Sequence, residues 1–263
     1  MKTGSLRPVL RKLNRAKLHA EEFDRTWQHF VQSGAYAFTV EVDSEPPHAV
    51  HWRWKVRSWT TDEVSRFESL PLILGDMLYD LRATLDYLVW QLVLVSGHSP
   101  TDQHSFPCVR NRKDWGSARG RCLAGVERQW ADEVERLQPY HGENPVRHLL
   151  SVLDTINNVN KHRTLPAAVA TAQEFAFGMH VTGGTVMHFD HWLDRPIEDG
   201  VEFCRVYGEP PITEPKFDVN ADPPLRIAFR DGFDHSDGWT YLNADLLDWV
   251  ETAVAIFQPA FGG

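Results

Sequence analysis

Hydrophobic and polar positions follow a helical period most clearly in residues 72–95, LILGDMLYDLRATLDYLVWQLVLV. Leu74, Leu78, Leu81, Leu85, Leu88 and Leu92 recur at steps of four and three, which places them on one helical stripe. The spacing predicts a core helix about 36 Å long, at ~1.5 Å per residue. Pro71 stands where a first helical turn tolerates it. Upstream, Thr60 and Glu63 have the spacing of a capping box, which predicts a separate short helix ending near Ser69.

Other segments carry weaker versions of the same signal. Leu6, Val9, Leu10, Leu13, Ala16, Phe23, Trp27 and Phe30 predict an amphipathic helix over residues 5–32, with Arg7, Arg11, Lys12 and Arg15 on its polar side. Residues 36–43 and 51–57 alternate with period two across a linker holding Pro46 and Pro47, the pattern of a long-looped hairpin. The basic stripe His51, Arg53, Lys55 and Arg57 is either a nucleic-acid surface or, facing Glu41 and Asp43, a set of ordinary cross-strand pairs, and the second reading is the stronger. A third helix is predicted over residues 115–137, stopped at Gln138-Pro139-Tyr140, and a fourth from Pro145 to residue 164, before Pro166.

The pattern changes after that. Residues 175–181 and 185–188 read as a hairpin about Gly183-Gly184. Residues 201–207 and 225–229 read as two further strands on either side of a proline-rich loop. Asn243 caps a final helix with Leu246, Leu247, Val250, Val254 and Phe257 on one face, and Pro259 stops it. The fold class is therefore α+β: a helical bundle with an N-terminal β-hairpin and a β-rich C-terminal part closed by a final helix. The change of character divides the chain into residues 1–168, a helical core with an inserted hairpin, and residues 169–263, packed with it as one unit.

Composition narrows the classes. An apolar share of 42%, with ten Trp and fourteen Phe, is enough for a sizeable core and argues against disorder. A net charge of −9 argues against wholesale coating of nucleic acid. The charge is uneven: residues 1–20 hold six Lys or Arg and no acid, residues 110–121 hold five bases and one acid, and residues 189–263 hold fifteen acids against five bases. Either one basic face lies on an acidic protein, or these are ordinary solvated helix faces. Cys108, Cys122 and Cys204 form neither a disulfide framework nor a zinc pattern. No apolar run follows the charged N-terminus, and Asp86 and Gln91 interrupt the leucine helix. The expectation is a cytoplasmic protein with no signal peptide and no membrane partner.

The fourth helix carries the most informative polar residues. With Leu153 at the centre of its apolar face and ~100° per residue, Asn157 falls about 40° to one side and Asn160 about 20° to the other, with Arg163 at the edge. On the central helix, Arg82 and Asp86 stand at i,i+4 beside the leucine stripe. Buried polar groups must be paired, so these residues form either a structural network or one polar cleft. His188 and Asp190 share a strand face but lack a third metal ligand, and Asp231, Asp234 and Asp237 have turn spacing. No metal site and no cofactor is expected. No phosphate-binding glycine loop or nucleophile motif is present.

Three blocks together resemble a recurring bacterial family of uncharacterised proteins: GDMLYDLRATLDYLVWQL in residues 75–92, LQPY in 137–140 and NVNKHR in 158–163. The family pattern has His-Asn at Tyr79-Asp80 and Asp at Asn160. At greater distance the helical core is similar to HEPN domains, the nucleotide-binding and ribonuclease bundles of prokaryotic defence systems. That resemblance implies an RNA- or nucleotide-directed protein of defence or stress type, including a metal-independent endoribonuclease, acting as a homodimer through its helical half. The HEPN motif is an Arg, then four to six intervening residues, then a His, which puts the Arg at Thr155, Ile156 or Asn157 here. His162 would be that His and general base, Arg163 the cation for developing charge, and Asn157 the polar residue in the place of the motif Arg. Arg82, Asp86, Asn158, Asn160 and Lys161 would bind the ligand. The alternative is a non-catalytic binding or assembly module whose polar helix residues are structural.

Overall fold

The computed structural model describes residues 4–33, 36–43, 49–56, 58, 60–162, 171–172, 178–182, 185–192, 199–209, 213–218, 225–226, 229–230, 239–240 and 243–262. The elements in order are α1 (Arg7–Gln32), β1 (Tyr36–Val42), β2 (Ala49–Val56), α2 (Thr61–Val95), α3 (Trp115–Cys122), α4 (Arg128–Arg136) and α5 (Leu149–His162). There follow β3 (Thr171–Ala172), β4 (Gly178–Thr182), β5 (Thr185–His191), β6 (Glu202–Glu209), β7 (Thr213–Asp218), β8 (Leu225–Arg226), β9 (Phe229–Arg230), β10 (Trp239–Thr240) and α6 (Asn243–Ile256). The class is α+β, as the sequence predicts. The chain does not divide at residue 168, however. One compact unit is Met1–Asp24, Leu70–Leu165 and Leu242–Gly263, and the other is Arg25–Ser69 and Pro166–Tyr241. The hairpin therefore belongs with the β-rich part and the final helix with the helical part.

In the helical unit the predicted stripe is the core. Leu74, Leu78, Leu81, Leu85, Leu88 and Leu92 are all fully buried. The helix that carries them is longer than predicted: α2 runs unbroken for 35 residues, about 52 Å, with Pro71 inside it. Proline removes one backbone donor, yet its φ is helical, and the buried Leu70, Leu74 and Met77 on either side offset the lost bond. The capping box forms as expected: Glu63 Oε2 accepts from the Thr60 N–H at 2.8 Å and Thr60 Oγ1 from the Glu63 N–H at 3.3 Å. On α1, Val9, Leu13, Ala16 and Phe23 are buried, while Leu10 is exposed, against expectation.

The predicted third helix is two helices, α3 and α4. Gly125, with φ of 78°, lies between them in a conformation that other residues adopt only at a cost. The fourth helix starts later than Pro145. Asn144 Oδ1 accepts from the Val146 and Arg147 N–H groups at 3.2 and 3.3 Å, and this local turn holds those residues out of the helix. His148 Nδ1 then accepts from the Leu150 N–H at 3.2 Å, at the start of α5. Leu246, Val250, Ala253, Val254 and Phe257 are the buried face of α6 and the turn after it. An edge contact of His148 with Trp249 and a tilted contact of Trp130 with Phe257 join that face to its neighbours.

In the other unit an antiparallel sheet has the order β1-β2-β6-β5. The predicted hairpin has the register Tyr36↔Val56 to Val42↔Val50. Strand β2 then pairs with β6, Ala49 opposite Tyr207 and Trp52 opposite Cys204, with a register shift after Trp52. Val50, Cys204 and Val206 are buried. Strands β4 and β5 do not form the predicted hairpin: β4 pairs with β7, and β5 with β6. β7 itself lies inside the predicted proline-rich loop and contains Pro215, which a two-stranded ribbon tolerates because both of its strands are edges. The strand predicted over 225–229 is two short ones, β8 pairing with β3 and β9 with β10.

Candidate functional site

The N-terminal segment is fastened to α2 at three levels, and the fastening leaves a groove. At the first level, the Ser5 N–H donates to Gln91 Oε1 at 2.9 Å. Gly4 allows that approach, since a Cβ there would stand 2.6 Å from the Gln91 carbonyl oxygen and 2.7 Å from the Val95 nitrogen. At the second, Lys12 Nζ donates to Asp80 Oδ1 at 2.6 Å. At the third, His19 Nε2 lies 3.6 Å from Asp80 Oδ2. Because Ser5 meets Gln91 and Lys12 meets Asp80, α1 and α2 run antiparallel here.

Between them opens a groove of about 560 Å³. Pro8, Arg11, Lys12 and Arg15 form one wall and Tyr87, Trp90 and Gln91 the other. Arg11 and Arg15 are one helical turn apart, and among the described residues neither pairs with an acidic side chain. Tyr87 and Trp90 are 42% and 39% exposed, which is unusual for side chains of their size. Among the described residues no carboxylate lines the groove. Its volume falls in the range of small-ligand sites, ~300–1,000 Å³.

Lys12 is the one groove cation already committed. Asp80 is 5% exposed, so its carboxylate needs a partner within the protein. The hydrogen bond to Asp80 raises the Lys12 pKa against the opposing effect of burial. The ammonium also lies 5.3 Å from the centre of the Tyr79 ring. Sequence reasoning noted Asp80 only as a departure from a family pattern. A usable signal was there: Asp80, Thr84 and Gln91 fall on one flank of the leucine stripe, and all three are buried.

The predicted polar residues on the opposite flank do come together, and their partner is backbone. Arg82 Nη2 donates to the Phe106 carbonyl at 2.6 Å, and Asp86 Oδ1 accepts from the Phe106 N–H at 2.9 Å. The two side chains stand 3.1 Å apart, and Arg82 Nε is 3.9 Å from Asp154 Oδ1. The fully buried Phe106 belongs to an irregular segment whose peptide groups have no helix or strand to pair with. The segment continues in the same manner. The Val109 N–H donates to Gln138 Oε1 at 2.9 Å, and Arg110 donates to Ser151 Oγ at 3.2 Å and to Thr155 Oγ1 at 2.6 Å.

Asn157 is buried as predicted, at 2% exposure, and its Oδ1 has no partner among the described residues; the same is true of Arg82 Nη1. Asn158 is exposed, its amide 3.5 Å from Asp154 Oδ2. The backbone of α5 includes Asn160, Lys161 and His162. The side chains of these three, and all of Arg163, lie outside the described residues, as do Asp231, Asp234 and Asp237.

Other chemistry-bearing groups are engaged structurally. Burial, then the charge of Asp154, pushes the Cys108 thiol up, and burial pushes Cys204 up to about 11, so neither is a ready thiolate. In the sheet, His51 lies between Glu202 (2.6 Å from Nδ1) and Asp43 (3.0 Å from Nε2), and Arg53 meets Glu41 at 3.2 Å. This is the predicted cross-strand pairing, extended to β6. Burial pushes the Glu202 carboxyl up, but hydrogen bonds from Arg205 and His51 outweigh it and hold it down at about 2. His188 and Asp190 bond each other at 2.9 Å. Among the described residues no group of three His, Cys, Asp or Glu could hold a metal ion, and no helix is long and apolar enough to cross a membrane.

No family model, curated protein or solved structure matches the chain.

Proposed function

We propose that the chain is an RNA- or nucleotide-directed protein and that the groove between α1 and α2 is where it meets its ligand. One observation carries this reading: Arg11 and Arg15, without acidic partners among the described residues, stand across a groove from the half-exposed Tyr87 and Trp90. Guanidinium groups suit phosphate, which they engage through charge-assisted, often paired hydrogen bonds. Aromatic side chains suit unpaired bases, which stack on them. The net charge of −9 keeps such attraction local to the basic wall. The resemblance of the helical blocks to HEPN domains points to the same class of ligand and adds the proposal of a homodimer.

Cleavage is the finer version of the reading. It assigns the base to His162 and the cation to Arg163, with Asn157 in the place of the motif arginine. The alternative, a non-catalytic binding or assembly module, has an observation of its own in its favour: Arg82 and Asp86 each engage the Phe106 backbone with a hydrogen bond. The deciding experiment incubates the purified protein with total RNA in EDTA and follows both binding and fragment length. Retention of RNA supports the reading. Fragments that vanish in His162→Ala would make the protein a ribonuclease, and intact bound RNA would make it a binding module. Absence of both binding and cleavage overturns the reading.

A further inference from the structure

Each wall of the groove repeats one kind of group: two arginines on α1 and two rings on α2. Arg11 and Arg15 are separated by about 6 Å along α1, four residues at ~1.5 Å each. Tyr87 and Trp90 are separated by about 4.5 Å along α2 and by about 60° around it. Each wall thus offers the same kind of contact twice, cation on one side and ring on the other. A ligand that fills both walls has two anionic groups one short step apart and two flat apolar faces beside them. A mononucleotide supplies only one ring. A duplex supplies the phosphates, but its bases are stacked inside and cannot reach Tyr87 or Trp90. An acidic peptide supplies charge without the flat faces.

Resting on the functional reading above, we infer that this groove takes two consecutive nucleotides of an unpaired RNA strand, with phosphates on Arg11 and Arg15 and bases against Tyr87 and Trp90. The recognition is by stacking and charge, so it tolerates any base. Among the described residues the groove has no carboxylate to repel the strand, since the nearby Asp80 is neutralised by Lys12. The rings are held in place without being used up. Their helix is anchored by the fully buried Leu88, Val89 and Leu92, while the rings themselves remain 42% and 39% exposed.

The test is fluorescence anisotropy with a 5′-labelled twelve-residue oligouridine RNA in EDTA. The same strand annealed to oligoadenosine is the duplex arm, and heparin is a competitor that carries charge without bases. Trp90→Ala, Trp90→Phe and the double variant Arg11→Gln/Arg15→Gln are compared with Arg128→Gln, whose side chain is 89% exposed and far along the chain from the groove. The inference expects Trp90→Ala to weaken single-strand binding about ten-fold, within the range of a lost stacking contact. Trp90→Phe should retain most of the affinity, which also shows that loss in the alanine variant is not misfolding. The duplex should bind at least about ten-fold more weakly and be indifferent to Trp90. If Trp90→Ala leaves single-strand affinity unchanged, or the duplex binds as well as the strand, the two-nucleotide inference is overturned while the broader reading survives. If no RNA binds at all, both fall.

Discussion

Asp80 and Lys12 meet at 2.6 Å, and their exposures are unequal: the Asp80 side chain is 7% exposed and that of Lys12 28%. The pair therefore fails differently depending on which partner is removed. Lys12→Met strands a buried carboxylate with His19, at 3.6 Å, as its remaining basic neighbour among the described residues, and should cost about 3–5 kcal/mol. Asp80→Asn leaves an ammonium that reaches water and should cost about 1–3 kcal/mol. Urea denaturation of the two variants checks the order. The pH dependence has a definite sign. Lys12 titrates above its ordinary value when folded, so its contribution is complete below ~10.4 and is lost as pH rises through the raised value. Alkaline unfolding should move to lower pH in Asp80→Asn.

Leu85 lies at the middle of the buried stripe and is fully inaccessible. Leu85→Ala should destabilise the helical unit by about 2–5 kcal/mol, the loss of transfer free energy plus the cavity left behind. A loss under about 0.5 kcal/mol in thermal or urea unfolding would remove Leu85 from the core.

What the sequence disclosed follows from the range of each interaction. The leucine stripe, the Thr60–Glu63 capping box and the Tyr36↔Val56 hairpin are local or periodic, and all three were legible. The pairing of β2 with β6 joins Ala49 to Tyr207 across more than half the chain, and no local pattern encodes it. Pro71 and Pro215 misled for one reason: each reads as a break, yet burial around the first and an edge position for the second made them tolerable. In the candidate sites, Arg82 and Asp86 were visible as polar residues beside the core. Their partner was not, because Phe106 contributes only peptide groups. The groove was half visible, as the basic face of α1. Its aromatic wall was hidden because Tyr87 and Trp90 lie within an otherwise apolar run, where exposure cannot be read from residue type.

The clasp on Phe106 should behave as one device. Asp86→Ala leaves a buried N–H unpaired and Arg82→Met a buried carbonyl, each costing about 1–3 kcal/mol. The double variant should cost less than the sum, because both act on one peptide segment. Neither change should alter RNA affinity at a temperature where the variant is folded. A double-mutant cycle by urea unfolding, with anisotropy on the same samples, checks both statements.

Glu202 makes the sheet acid-sensitive. Its folded pKa is held down at about 2, so its contribution is complete above the unfolded value, ~4.3, and is lost as pH falls through about 2. The shift corresponds to about 3 kcal/mol at neutral pH. Glu202→Gln should lower stability at pH 7 by an amount of that order, and the difference from wild type should shrink steadily between pH 4.5 and pH 2, with ~4.3 as the upper edge of the window. Melting curves at half-unit pH steps measure it. A difference that stays constant through that window would mean Glu202 is not charged in the fold.

The groove makes a prediction about salt that separates it from diffuse attraction. Single-strand binding that neutralises Z phosphates falls with salt at a slope of about −0.7Z in a log–log plot. Two phosphates on Arg11 and Arg15 give a slope of about −1.4. Arg15→Gln should bring it to about −0.7, and Arg11→Gln should do the same, because each guanidinium holds one phosphate. Arg128→Gln removes a charge of the same kind from a largely exposed position beside Asp132 and should leave the slope unchanged. A slope well beyond −1.4 in the wild type would mean that the strand continues onto further cations. Equal slopes in all three variants would mean that charge acts at a distance and that no phosphate is seated on α1.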